Sequence, residues 1–305
     1  MKHAILTTLT FMAGVAVAAT AAAQDAPTTR PANGERETQP TTQATQPGVP
    51  SVDEIVNRTN YVSYYQSHNG RAQVKMEIVS SDGQTRRREM TILRRDEQNP
   101  EREERADTEQ EKEDKFTGEQ KYYVYFHRPS DVNGMTFLVW KHLGKDDDRW
   151  LYLPGVDLVK RISAADKRGS FAGSNFVYED VSGRNVDLDE HELVDVTDNY
   201  FILKNTPKDD RYVDFAYFKM WIHRDTFVTV QSSYYNDRDE EYRRYSAEQV
   251  EVIDGYPTVT KSRMSDLANE EHTLMEYTSV EYNIDLPEDV FSERYLRRPP
   301  YRYLR

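Results

Sequence analysis

The chain has 305 residues, no cysteine and a net charge of −13 from 53 acidic and 40 basic residues. Disulfides, thiolate metal sites and an acylatable lipobox cysteine are thereby excluded within this sequence, and so acidic a chain repels nucleic acid. Its 21 tyrosines and 11 phenylalanines favour strands over helices. The mean hydropathy of −0.86 requires that charged, coreless segments be set apart from the β-rich part.

Lys2, the apolar stretch Ala4–Ala19 and Ala21-Ala22-Ala23 before Gln24-Asp25 read in order as the basic, apolar and cleavage parts of a secretory leader. Threonines interrupt the apolar stretch, which falls short of the ~20 strongly apolar residues of a spanning helix. The expectation is a cleaved signal peptide over residues 1–23, cut near Ala23, and a periplasmic mature protein. Residues 24–50 are rich in Gln, Thr and Pro and lack aromatics. They are predicted to form a disordered linker, because they cannot bury enough apolar surface to offset their ordering entropy.

Ser51 can cap a helix whose first turn holds Asp53 and Glu54, with Val52, Ile55, Val56, Thr59 and Val62 at helical spacing. After Gly70 the period becomes two. Val74, Met76 and Ile78 alternate with polar residues, Ser81-Asp82-Gly83 marks a turn, and a partner strand runs through Met90, Ile92 and Leu93. Residues 95–115 hold ten acidic and five basic residues and no aromatic. They are predicted to be a solvated loop insertion.

From Gln120 onward, strand candidates recur every 10–15 residues with Gly, Asn or Asp turns: 120–127, 134–142, 148–153, 157–163, 193–197, 200–206, 212–223, 227–236, 240–253, 256–266 and 270–283. Several are apolar on both faces. Phe137 and Val139 alternate with Leu138 and Trp140, and Tyr217 and Trp221 alternate with Phe218, Met220 and Ile222. Such antiparallel strands need a second cover, either a packed helix or a cavity that accepts an apolar ligand. The final residues 294–305 carry five arginines and three tyrosines. This basic, aromatic tail either docks on anionic headgroups or a partner, or covers the acidic surface of its own domain.

No catalytic constellation emerges. The Gly-x-Ser-x-Gly elbow is absent, and Ser170 and Ser174 lack its flanking spacing. The seven histidines are scattered, and neither His191 nor His223 has a second ligand at metal spacing. Gly144–Asp148 is acidic but lacks the downstream Gly and bidentate Glu of a calcium loop, and is predicted to be a hairpin turn. The sequence thus predicts no enzyme, no cofactor and no metal.

Residues 126–180 carry Phe126-His127-Arg128-Pro129, Asp131-Val132-Asn133-Gly134, Asp148-Arg149-Trp150-Leu151-Tyr152-Leu153-Pro154, Lys160-Arg161-Ile162 and Gly169–Asp180 in order. This text resembles the LolA-like outer-membrane lipoprotein-sorting proteins, and within them the branch associated with resistance-nodulation-division (MMPL-type) exporters. Ala172 and Asn175 depart from that pattern, where Met and Asp are expected.

The resemblance implies a mainly β (α+β) domain over residues 51–295, with residues 296–305 as the tail. The implied fold is an open, curved antiparallel half-barrel with helices covering its concave face. It further implies a periplasmic carrier or chaperone that binds a lipid or lipoprotein acyl group in an apolar cavity, for outer-membrane sorting or exporter-linked transport. The alternative is a ligand-free accessory subunit docked on such an exporter. Cavity-lining candidates are Phe137, Trp140, Trp150, Tyr152, Phe171, Phe176, Tyr178, Met220 and Trp221, with Phe171, Phe176 and Tyr178 in a lid. Arg128 and Arg161 are candidates to meet a headgroup or hold the lid.

Overall fold

The computed structural model describes residues 48–97 and 118–305. The expected leader, most of the expected linker and most of the expected charged insertion therefore lie outside the described residues. Helix α1 (Val52–Asn60) starts where Ser51 Oγ accepts from Glu54 N at 3.1 Å, and it runs on into a π-helical turn, Tyr61–Tyr65.

Thirteen strands follow. They are β1 (Asn69–Val79), β2 (Thr85–Asp96), β3 (Gln120–Arg128), β4 (Thr136–Lys141), β5 (Asp148–Leu153), β6 (Leu158–Ile162), β7 (Asp189–Val196), β8 (Tyr200–Pro207), β9 (Tyr217–His223), β10 (Thr229–Tyr235), β11 (Glu241–Ile253), β12 (Tyr256–Asp266) and β13 (Glu271–Tyr282). Each of the eleven strand candidates after Gln120 matches one of β3 to β13. The second strand of the predicted hairpin extends to Asp96, so Arg95 and Asp96 belong to β2 and not to the charged loop.

All strands join one antiparallel sheet in the order β6-β5-β4-β3-β2-β1-β13-β12-β11-β10-β9-β8-β7. Two meanders, β1 to β6 and β7 to β13, are fused where β1 pairs with β13. The sheet curves without closing, so β6 and β7 remain as its two edges. Because these strands are consecutive in the chain, residues 163–188 must pass from one edge of the sheet to the other. They cross the concave face as a strap that contains the five-residue helix α2 (Tyr178–Ser182).

The pairing register decides which side chains face inward. Val74, Met90, Phe126 and Phe137 share the concave face with Met275, and belong to one apolar cluster with Phe171 and Phe176 of the strap. On the opposite face, Leu93, Tyr123, Leu138 and Trp150 pack against Leu286, Phe291, Leu296 and Leu304. The segment after β13, with its short helix α3 (Arg294–Arg297), is therefore a second cover. The strands β3 to β5 are apolar on both faces because each face has its own lid. A third cluster joins Ile55 and Val56 of α1 to Phe201, Leu203 and Ile222 of the other wing.

Candidate functional site

Between α1, the strap and the concave face lies a cavity of about 430 Å³. Val56 and Thr59 line it from α1, Phe171, Phe176 and Val181 from the strap, and Ala72, Ile92, Leu203, Met220 and Met275 from the sheet. Its charged lining includes Arg168, Glu179, Asp180 and Arg184 of the strap, Asp189 of β7, and Arg71, Arg94 and Glu281 of the central strands.

The strap is built to lie flat. Ala172 and Gly173 both take positive φ, turning the chain so that Phe171 N donates to Phe176 O at 2.8 Å. The Phe171 ring then sits 5.7 Å from Phe126, 5.4 Å from Phe137 and 6.0 Å from Tyr178. The Asp180 carboxylate accepts from Val177 N at 2.7 Å, which fixes the first turn of α2.

Polar contacts pin the strap to both wings. On one side, Lys141 Nζ donates to Ser182 O at 2.9 Å, Asn185 Nδ2 donates to His142 O at 3.0 Å and Arg86 donates to Gly173 O at 3.1 Å. At the centre of the sheet, Asn175 N donates to Thr273 Oγ1 at 3.0 Å. On the other wing, Asp180 pairs with Arg243, and Arg184 pairs with Asp189 at 2.9 Å.

Glu179 stands between these anchors, 3% exposed, with Lys167 at 3.1 Å, Arg184 at 3.3 Å and Arg168 at 3.4 Å. Burial opposes its ionisation, but Lys167, Arg184 and Arg168 outweigh that and hold its carboxyl below the usual range. Lys141 is fully enclosed, and burial, partly offset by Asp147, brings its amine down to about 8.

Gly183 takes φ +74, and a Cβ there would meet the Tyr64 ring, with Cε1 at 2.6 Å. The strap and the π-helical turn therefore touch through a position that only glycine fits. Gly183→Ala is expected to cost about 2–3 kcal/mol from strain and overpacking. A urea denaturation curve with a midpoint equal to the wild type's would refute this contact.

The sequence-derived candidates divide into three groups. Phe171, Phe176 and Met220 line the cavity. Phe137 and Tyr178 lie directly behind Phe171, with their ring centroids 5.3 Å apart. Trp140, Trp150 and Tyr152 are on the convex face instead, where the two indoles meet at 4.9 Å and Trp140 Nε1 donates to Phe291 O at 2.8 Å. Trp221 also points away from the cavity, since Met220 and Ile222 occupy the inward positions of β9.

Neither arginine candidate reaches the strap. Arg128 is exposed, 3.7 Å from Glu89, and Arg161, on edge strand β6, pairs with Asp148 of β5. The cations that hold the strap are Arg86, Lys141, Arg184 and Arg243. The signature includes a partner for two of them, because it ends on Glu179-Asp180, which meet Arg184 and Arg243. Among the described residues no group of three His, Asp or Glu side chains is arranged to hold a metal ion, and no helix is long and apolar enough to cross a membrane.

An open curved antiparallel sheet with a covered concave face is the LolA-like fold, and comparison with solved structures bears this out. A DUF1329 family protein from Desulfovibrio piger is 26% identical over 80% of this chain and 96% of its own, with a TM-score of 0.68. An outer membrane lipoprotein-sorting type domain from Vibrio parahaemolyticus is 21% identical over 80% and 97%, also with a TM-score of 0.68. A LolA superfamily protein from Nitrosomonas europaea is 17% identical over 81% and 100%, with a TM-score of 0.59. A family model described as "-like: Uncharacterized protein" matches residues 118–298. That match spans more than half of the chain, and the chain belongs to this family. No curated protein matches the sequence.

Proposed function

We propose that the protein is a periplasmic carrier that holds an acyl chain of a lipid or lipoprotein in the concave cavity, without a covalent step. The observation that carries this reading is the cavity itself: about 430 Å³, lined largely by apolar side chains of α1, the strap and the sheet, with charged groups among them. That volume falls within the ~300–1,000 Å³ of small-molecule sites. Each buried methylene contributes about 0.8 kcal/mol, so roughly ten of them supply about 8 kcal/mol, enough for micromolar binding. The leader-like residues 1–23 and the lipoprotein-sorting assignment of the Vibrio domain support the location and the cargo class.

Native mass spectrometry of protein isolated from the periplasm is expected to show a bound lipid that is lost on delipidation and regained on add-back. A single unliganded mass under both conditions would sink the reading.

A further inference from the structure

The basic, aromatic tail had two readings from sequence: a surface for an anionic partner, or a cover for the protein's own acidic surface. The structure separates them. Leu296 and Leu304 are buried against the convex face. The backbone is held there as well: Thr91 Oγ1 donates to Leu304 O at 3.0 Å, Gln73 Nε2 donates to the same carbonyl at 3.2 Å, and Arg71 Nη1 donates to Tyr303 O at 3.3 Å. With leucines and carbonyls turned inward, the arginines are turned out.

Two of the five are neutralised, Arg294 by Asp289 and Arg297 by Asp157, both at 2.9 Å. Arg298, Arg302 and Arg305 are exposed and, among the described residues, have no carboxylate partner. Tyr301 stands beside them 56% exposed, its ring 5.9 Å from Tyr125. A segment that only neutralised its own domain would not leave most of its charge unpaired on a chain of net charge −13.

We propose that this convex-face patch docks the protein on an anionic phospholipid surface. Unpaired guanidinium groups take up phosphate with two hydrogen bonds each, and an exposed tyrosine suits the headgroup level. The acidic remainder of the chain is repelled by the same surface, so the field orients the molecule with residues 298–305 toward it. The patch lies on the convex face, whereas the strap and the apolar cluster it completes lie on the concave face.

The test is sedimentation of the purified protein with vesicles of phosphatidylcholine alone and of an equal mixture of phosphatidylcholine and phosphatidylglycerol. Binding is expected only to the mixed vesicles. It should disappear near 1 M salt, where the screening length is about 3 Å. The triple variant Arg298→Gln, Arg302→Gln, Arg305→Gln should bind on the order of a hundredfold more weakly. Its thermal melt should be unchanged, because the three side chains are exposed. Equal binding by variant and wild type, or binding to phosphatidylcholine that resists salt, would overturn the proposal. Arginine-dependent binding to polyglutamate with no vesicle binding would also overturn it, and would assign the patch to an acidic protein.

Discussion

Glu179→Gln is expected to destabilise the protein by about 3–5 kcal/mol, the usual cost of removing one partner from a buried ion pair. The replacement keeps the side-chain volume, so the loss is electrostatic and not a packing defect. Arg184 retains Asp189 and Arg168 retains Asp214. Lys167, 6% exposed, loses its only ion-pair partner among the described residues. The double variant Lys167→Met, Glu179→Gln should therefore recover part of the loss. Urea denaturation provides the measurement, with the midpoint falling at an unchanged slope.

The same group gives the protein an acid sensitivity of defined sign. Because the folded-state value of Glu179 lies below its ordinary 4.5, its contribution is present above that pH and is lost as pH falls through the depressed value. The wild type should lose stability in that acid window, and Glu179→Gln should lose less. A variant as stable as the wild type at neutral pH, with the same acid profile, would show that the Glu179 cluster does not hold the strap.

Filling the cavity is the second large effect. Ser232 lies on β10 with its side chain inward, opposite Met220 and Tyr245, and lines the cavity. Ser232→Phe places a ring in space that an acyl chain needs. Excluding two methylenes costs about 1.6 kcal/mol, so affinity for a fatty-acyl ligand should fall more than about tenfold. Stability should change little, because the ring enters a void and does not displace packed atoms. Trp221→Ala, on the outer side of the adjacent strand, is the matched control and should leave affinity unchanged. Titration of both variants with a fluorescent fatty acid separates the cases. Normal affinity in Ser232→Phe would move the cargo out of this cavity.

The elements that were legible in the sequence are those set by neighbours in the chain. The Ser51 cap, the Ser81-Asp82-Gly83 turn and the eleven strands after Gln120 follow from capping chemistry, turn residues and a period of two. Those interactions act over a few residues, so a linear reading captures them. The strap was also marked, through the glycines and aromatics of Gly169–Asp180, and Phe171 and Phe176 do line the cavity.

The inward face of each strand was not legible in the same way. In β4 and β5, Phe137 and Trp140, or Leu151 and Trp150, are equally apolar and of opposite parity. Alternation shows that they point in opposite directions, but not which direction holds the cavity. Trp140 and Trp150, both among the expected lining residues, pack under Phe291 and Leu296, a contact between residues some 150 positions apart. The cation that Asp180 takes from outside the strap was equally hidden. Arg243 reaches it only because the strap crosses to the β11 wing, whereas Arg184 stands on the strap itself, close in the chain to Glu179.

By itself, then, the sequence determined an acidic, cysteine-free chain with a leader-like start, an opening helix and a succession of antiparallel strands. Only the tertiary structure decided that β1 pairs with β13 to fuse the two meanders, that residues 163–188 span the sheet from edge to edge, and that the final segment covers the convex face with three arginines left over. Local hydrogen bonding and side-chain alternation specify strands. Which face of a strand becomes core depends on what closes over it, and here both covers arrive from distant parts of the chain.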